Sequence, residues 1–412
     1  MEVIINGFKP KGTINVPSSK SVAHRVLIMA FLLKRKMVIN NVNYSDDIIA
    51  TISSLEAMGA IIKKGKDKIF IEGFNECPKS VELDVKQSAS TLRFLLPIAA
   101  YFCDEVLFKG DPSLFKRPMG VYIETFKDEI EFEQKENCLK ITGNLKSSVY
   151  KVKTNVSSQF ITGLIFLMVV NKKINHIILE GDLVSKNYIE MTKNVMCDFG
   201  IDTFLEGNTI KLNQRHSEIR DYSVEGDYSQ AAFYFVLGAI KGDISLKNLN
   251  SNSLQGDKVV LDILSKMGVV IDHKEDKYVV KETQINSSIV VDLENCIDLA
   301  PILFVLAAYN NGIMKFVNTK RLEIKESNRL MAMREELLKA KVDFEVGENR
   351  VIIKGDSNRF GNYIFESHSD HRIAMAMSVF AVLNNGVSII KGIECINKSY
   401  PNFINDLFSL KI

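Results

Sequence analysis

The chain has 412 residues, 46% hydrophobic and 25% charged, and its 52 basic against 50 acidic residues leave a formal charge of +2. That length exceeds one ordinary core and calls for two domains or a repeat array, while the near-neutral balance gives no general attraction to nucleic acid or an anionic membrane, so any anion site must be local. The longest apolar run, Leu299 to Tyr309, is shorter than the ~18 to 20 residues of a membrane span, and the amino-terminal MEVIINGFKPKG lacks the apolar core of a signal peptide, so a cytosolic chain is expected.

In chain order, the first chemistry-bearing element is VPSSKSVAHRVLIMAFLL, where Pro17 and two serines open a helix with Val22, Val26, Leu27 and Ala30 inward. Lys20, Ser21, His24 and Arg25 crowd its first turns. Cations are unfavourable at that positive end of a helix unless a bound anion shares its N–H groups, so the cluster is either a phosphate or carboxylate site or a basic surface turn. The strand MVINNV follows, then the helix SDDIIATISSLEAMGA, with Ile48, Ile52, Leu55 and Met58 on one face, Ser45 or Asp46 as cap and Gly59 as stop, then the strand KIFIEG.

The same grammar recurs. MTKNVMCDFGI leads into TIKLN, VVLDILSKMGVVID into KYVVK, and RLMAMREELLKAKVDFEV into RVIIKG. The spacing suggests a period near seventy residues, and six such units in 412 residues would be about 69 each, which favours a repeat-built α/β protein over an open dinucleotide-binding sheet. Neither G-x-G-x-x-G nor G-x-x-x-x-G-K-[ST] occurs.

Between these units lie segments rich in fork donors and hydroxyls. SASTLRFLLP carries Ser88, Ser90, Thr91 and Arg93; GDPSLFKRPMG carries Arg117 before Pro118; SSQF offers Ser157, Ser158 and Gln159; SHSDHRIAMAM carries Asp370, His371 and Arg372. Each alone reads equally as a cap or turn. Together they imply several anionic groups converging. Asp298 opens the run LAPILFVLAAY, where an ionised acid needs a partner or a task and is either an N-cap or a base. In TKRLEIKESNRLMAMREEL, Arg321, Lys325 and Arg329 stand at i, i+4 and i+8, so a helix would stack three cations on one face, with Glu326 among them. That stripe is a salt-bridged solvated face or an anion site.

Six cysteines at 77, 103, 138, 197, 296 and 395 form no C-x-x-C pair, and the six histidines show no paired ligand spacing, so no metal is expected.

Nine motifs in order, KPKGTINVPSSKS, SASTLRFLLP, GDPSLFKRPMG, VSSQF, VSKNY, VEGDYSQAAFYF, IKESNR, SDHRIAMAM and KSYPNF, run almost end to end and resemble the 5-enolpyruvylshikimate-3-phosphate synthases. The resemblance implies an α/β (α+β) fold of two similar domains, each of three βαβαββ units in an inside-out barrel-like arrangement. Residues 1–19 with 227–412 would form the phosphoenolpyruvate side, carrying Asp298 and Glu326, and 20–226 the shikimate 3-phosphate side, with the active site in the cleft between. It implies transfer of the enolpyruvyl group of phosphoenolpyruvate to the 5-hydroxyl of shikimate 3-phosphate, releasing phosphate, by a cytoplasmic monomer that needs no metal or organic cofactor.

Carried over residue by residue, Lys20 bridges both substrates, Ser21 and Arg25 hold the shikimate ring, and Ser157, Ser158, Gln159, Ser185, Arg321 and Lys325 surround shikimate 3-phosphate. Ala89, Arg117, Gln159, Arg329, Arg372 and Lys398 meet phosphoenolpyruvate. Asp298 is the implied base for the 5-hydroxyl and Glu326, with Lys20, the implied proton donor to the vinyl carbon. The chain departs from the family pattern where Lys86, Gln87, Ser88 and Ala89 replace a glycine-rich turn, where Asn328 replaces Asp, and where Ile297 replaces Pro. The Ala89 methyl stands where phosphoenolpyruvate and its competitor glyphosate approach the backbone, which predicts weakened glyphosate inhibition. Two rivals remain at this point: the related transferase acting on UDP-N-acetylglucosamine, whose loop cysteine near an Arg-Pro is missing from GDPSLFKRPMG, and a non-catalytic anion-binding scaffold, against which Asp298 and Glu326 speak.

Overall fold

Two helices, Ser158–Val170 and Ala300–Tyr309, carry apolar residues on nearly every face, and a helix of that kind is stable only when neighbours surround it. The computed structural model describes residues 1–74, 76–215 and 219–411 and shows both buried along their length. Each is one of a trio. Lys20–Leu32, Ala89–Phe102 and Ser158–Val170 pack in one half of the chain; Tyr228–Lys241, Ala300–Tyr309 and His371–Leu383 pack in the other.

Amphipathic strands cover these helices. The described strands form six sheets, five of four strands and one of three, and alternate buried with exposed residues, as in Ser80–Lys86. The repeat is plainest at 149–214. Strand Val149–Lys153 crosses through helix Ser158–Val170 to parallel strand His176–Glu180, then through helix Lys186–Asp198 to the hairpin Ile201–Glu206 and Thr209–Gln214, whose second strand returns beside His176–Glu180. That is the expected βαβαββ unit, with helix Ser158–Val170 buried and helix Lys186–Asp198 buried on one face only. No ladder joins one sheet to the next among the described residues.

The chain divides into two compact units, Met1–Pro17 with Glu225–Ile412, and Ser18–Val224. The crossings fall two residues before the expected 19/20 and 226/227. Each unit borrows a strand from a distant part of the chain. In Ser18–Val224, the late strand Asp221–Ser223 pairs in parallel with Lys36–Asn40; in the other unit, Lys11–Asn15 pairs in parallel with Asp243–Lys247, and Glu2–Asn6 pairs antiparallel with Val387–Lys391. Gly226 marks one crossing, since a Cβ there would lie 1.9 Å from Asn248 O. Each unit has its own apolar core, one running from Val22 to Val224 and the other from Ile5 through Leu410.

Candidate active site

In the unit Ser18–Val224 the helix starts carry the chemistry. Ser19 caps Lys20–Leu32 by accepting from Val22 N, Ser88 caps Ala89–Phe102 by accepting from Thr91 N, and Ser157 caps Ser158–Val170 by accepting from Gln159 N. Their N–H groups and positive dipole ends suit anions. Side chains tie these starts together. Lys20 Nζ lies 2.6 Å from Asp47 Oδ2, at the start of helix Asp46–Ala57. His24 Nδ1 meets Thr51 Oγ1 at 2.7 Å, Thr51 meets Thr91 at 2.7 Å, and Thr91 donates to Ser88 at 2.7 Å. Burial pushes His24 down to about 3, so it is a neutral link in this chain.

Arg25 is buried and donates through Nε to Thr192 Oγ1 (2.8 Å) and through NH1 to Ser21 O (2.6 Å). Burial lowers its pKa to about 10. Arg93 donates to Gln159 Oε1 (2.9 Å) and to Pro118 O (2.9 Å), and Gln159 Nε2 donates to Ser90 Oγ (3.0 Å). Gly163 allows this approach, because a Cβ would fall 2.4 Å from Arg93 O. Arg117 precedes Pro118 at the same loop, and Ala89 is the buried first residue of its helix. Ser185, at φ 52°, stands immediately before helix Lys186–Asp198, whose Thr192 and Tyr188 O hold Arg25. Ser90, Arg93, Pro118, Ser157 and Gln159 are thus joined by hydrogen bonds, Arg25 is joined to Ser21 and to the helix that follows Ser185, and Ala89, Arg117 and Ser158 stand next to these residues in the chain.

In the other unit a buried ion cluster stands at the same ends of its helices. Asp298 Oδ1 lies 3.1 Å from Lys325 Nζ and 3.0 Å from Arg329 NH1, and its Oδ2 lies 3.6 Å from Arg372 NH2. Arg329, only 1% exposed, also takes Glu326 Oε2 at 2.7 Å and Asp370 Oδ2 at 2.8 Å. Lys398 Nζ lies 3.6 Å from Glu326 Oε1. Burial alone would raise Asp298, but Lys325, Arg372 and Arg329 outweigh it and hold the carboxyl well below the usual range. Burial brings Lys325 down to about 8 against the pull of Asp298. Arg329 is held above its ordinary value, because Asp370, Glu326 and Asp298 overcome its burial.

Two expectations need correction. The cationic stripe is not a helical row: Lys320–Ile324 is a single 3-10 turn, Lys325 is extended at φ −88° and ψ −153°, and the helix Arg329–Lys339 begins only at Arg329. Lys325 and Arg329 converge on Asp298 from successive loop and helix positions, while Arg321 NH1 donates to Glu294 O at 3.2 Å. Asp298 is also not an N-cap. It sits in the 3-10 turn Ile297–Leu299, and Leu299, not Asp298, holds the N-cap position of helix Ala300–Tyr309.

Sequence reading missed Asp47 as the partner of Lys20 and Asp370 as the partner of Arg329, since no spacing links residues 27 and 41 positions apart. Asp257 was also missed. It accepts from Ser229 Oγ, and burial with nearby Asp298 raises it to about 6 in spite of Arg372.

A family model described as EPSP synthase (3-phosphoshikimate 1-carboxyvinyltransferase) matches residues 6–407. A 3-phosphoshikimate 1-carboxyvinyltransferase of Clostridium perfringens is 40% identical over 99% of this chain and 98% of its own length, and one of Clostridioides difficile is 40% identical over 97% and 94%. Among solved structures, an EPSP synthase from Acinetobacter baumannii aligns with TM-score 0.80 and 24% identity over 100% of this chain and 98% of its own, and the enolpyruvyl transferase NikO from Streptomyces tendae with TM-score 0.75 and 14% identity over 99% and 97%; both show the fold. With the family model spanning nearly the whole chain, this protein belongs to the EPSP synthase (3-phosphoshikimate 1-carboxyvinyltransferase) family.

Proposed function

We propose the residue roles by which this chain catalyses its family's reaction, the transfer of the 1-carboxyvinyl group of phosphoenolpyruvate to the 5-hydroxyl of shikimate 3-phosphate with release of phosphate. The observation that carries the proposal is one carboxylate, Asp298, shared by Lys325, Arg329 and Arg372. Without substrate those cations suppress its basicity. Substrate phosphates and carboxylates claim the same cations, relieve that field, and raise Asp298 toward the range in which it removes the 5-hydroxyl proton.

Binding comes first. Two multiply charged anions repel each other, so oriented cations must bring C2 of phosphoenolpyruvate to the 5-oxygen. Ser157, Ser158, Gln159, Ser185 and Lys325 take shikimate 3-phosphate, with Arg321 at its edge and Ser21 and Arg25 on the ring substituents. Lys20, Arg117, Arg329, Arg372 and Lys398 take phosphoenolpyruvate, with Gln159 and Ala89 lining its approach. Arg suits the fork contacts and Lys the point charges.

Proton transfer follows. Glu326, bound by Arg329 and within reach of Lys398, delivers a proton to the methylene carbon while the 5-oxygen adds to C2. The tetrahedral ketal phosphate then loses a proton from the new methyl group and expels phosphate, which restores the vinyl group on its new oxygen. These steps require no metal or organic cofactor. Each unit buries its own apolar core, in keeping with a monomer, and the reaction is assigned to the cytoplasm.

Phosphate release tests this reading, measured with phosphoenolpyruvate and either shikimate 3-phosphate or UDP-N-acetylglucosamine. Turnover with shikimate 3-phosphate alone is expected. Turnover with the sugar nucleotide alone rejects the assignment, and turnover with neither leaves an anion-binding scaffold.

A further inference from the structure

Helix Arg329–Lys339 holds the segment leading into helix His371–Leu383 at two places. At its first residue Arg329 grips Asp370 through Nε at 2.8 Å and NH2 at 3.3 Å. Two turns later the buried Glu336 accepts from His368 Nε2 at 2.7 Å, from Lys339 Nζ at 2.7 Å and from Glu366 N at 3.0 Å. Between these anchors His368 and Ser369 stand at φ 51° and 55°. Consecutive non-glycine residues in the left-handed region are strained, and such a turn persists only where its surroundings over-determine it.

Asp370 is then placed twice over: it caps helix His371–Leu383 by accepting from Arg372 N at 2.9 Å, and Ser327 donates to it at 3.3 Å. We propose that His368 is a positioning residue for the anion grip: paired with buried Glu336, it fixes the strained turn so that Arg372 leaves the helix start aimed at phosphoenolpyruvate. The proposal rests on the role given to Arg372 above. Glu335, Glu336 and His368 bring their ligand atoms within 4.8 Å of one another, as a metal site would. Lys339 already supplies a positive partner to Glu336, so the cluster is complete as an ion pair network.

The pair is also titratable. From the helix, Glu335, Glu336 and Lys339 face His368; on its own segment stand Asp370 and Glu366, the latter paired with Lys391 of the neighbouring strand at 3.3 Å. The hydrogen bond to Glu336 raises His368 above 6.5 against its burial. A raised histidine contributes its pairing fully below the unfolded pKa and loses it as pH climbs through the shifted value.

Steady-state kinetics of the full chain test this with His368→Ala, His368→Gln and Glu336→Gln. His368→Ala should raise KM for phosphoenolpyruvate about tenfold, with kcat and KM for shikimate 3-phosphate nearly unchanged. His368→Gln keeps an N–H donor and should recover most of that loss, yet both it and Glu336→Gln should lack the rise in phosphoenolpyruvate KM that the wild type shows as His368 deprotonates. Should His368→Ala not fold, the pH profiles of the two glutamine variants decide the matter. An unchanged KM and pH profile overturns the proposal, as does an equal rise in both KM values. A wild type inactive on this substrate pair overturns the functional reading and the proposal together, whereas an active wild type with insensitive variants overturns the proposal alone.

Discussion

Lys325 shows how much a single side chain's surroundings decide. Burial lowers it to about 8, and Arg329 and Arg321 add to that while Asp298 and Glu326 oppose it. Its charge is present below that value, so kcat/KM for shikimate 3-phosphate should fall about tenfold per pH unit above it, a limb that Lys325→Arg should move out of range. Stability should move the other way: between about 8 and 10.5 the unfolded chain binds more protons, so the folded state gains as pH rises. A flat kcat/KM profile through pH 9 would remove Lys325 from phosphate binding. Asp298→Ala should lower kcat by about 10²- to 10⁴-fold while weakening shikimate 3-phosphate binding far less, and equal loss of both would reduce Asp298 to a structural anion. At Ala89, one methyl at the buried start of its helix should separate substrate from inhibitor; Ala89→Gly should increase glyphosate sensitivity about 10- to 200-fold. Unaltered inhibition would show that this methyl stands clear of the ligand. Lys20, Arg25 and Arg93 stood out because cations beside serines at a helix start are unfavourable unless an anion shares the site, a reading the sequence left beside that of a basic turn. Their partners did not, because Asp47 reaches Lys20 only after helix Lys20–Leu32 and strand Lys36–Asn40 have folded.

At the scale of elements, sequence patterns located helices far better than they located short turns. Ser19, Ser88, Ser157 and Asp370 all cap helices as their chemistry favours, and Ile48, Ile52 and Leu55 are buried on one face of Asp46–Ala57. The segment 320–329 defeated the same reasoning. Its i, i+4, i+8 charges presuppose a continuous helix, and nothing in the spacing announces that Lys325 is extended or that Asn328 restarts the helix. The restart itself is a cap: Asn328 Oδ1 accepts from Met331 N at 3.2 Å. An asparagine there does the capping work of the family's aspartate without adding a fourth carboxylate around Arg329. Asn328→Ala should therefore cost about 1 kcal/mol in urea unfolding, and Asn328→Asp should retain the cap. If Asn328→Ala is as stable as the parent, the helix start is held by the Arg329 ion pairs alone.

At the scale of the whole molecule, the repeat period was readable because each βαβαββ unit repeats one hydrophobic grammar, whereas the borrowed strands were not, since pairing between distant parts of the chain leaves no local mark. Those strands make the two units unequal as folding objects. Ser18–Val224 is continuous, and its end returns to its beginning: strand Asp221–Ser223 pairs with Lys36–Asn40, Val224 N donates to Asn40 O at 3.1 Å, and Val224 is buried. Its core draws only on residues within that range. The other unit places Ile5, Ile14 and Val16 in its core and Lys11–Asn15 at the edge of its sheet, so a fragment beginning at Glu225 leaves strand Asp243–Lys247 without that partner and lacks apolar side chains worth roughly 1.5 to 3 kcal/mol each. The fragment 18–224 should melt cooperatively by circular dichroism, and ending it at residue 220 should lower its Tm by removing the strand and Val224. The fragment 225–412 should show no cooperative transition until residues 1–17 are restored as a covalent extension. Cooperative folding of 225–412 alone would mean that the amino-terminal strands merely decorate a finished unit; a non-cooperative 18–224 would mean that its apolar core does not suffice without the rest of the chain.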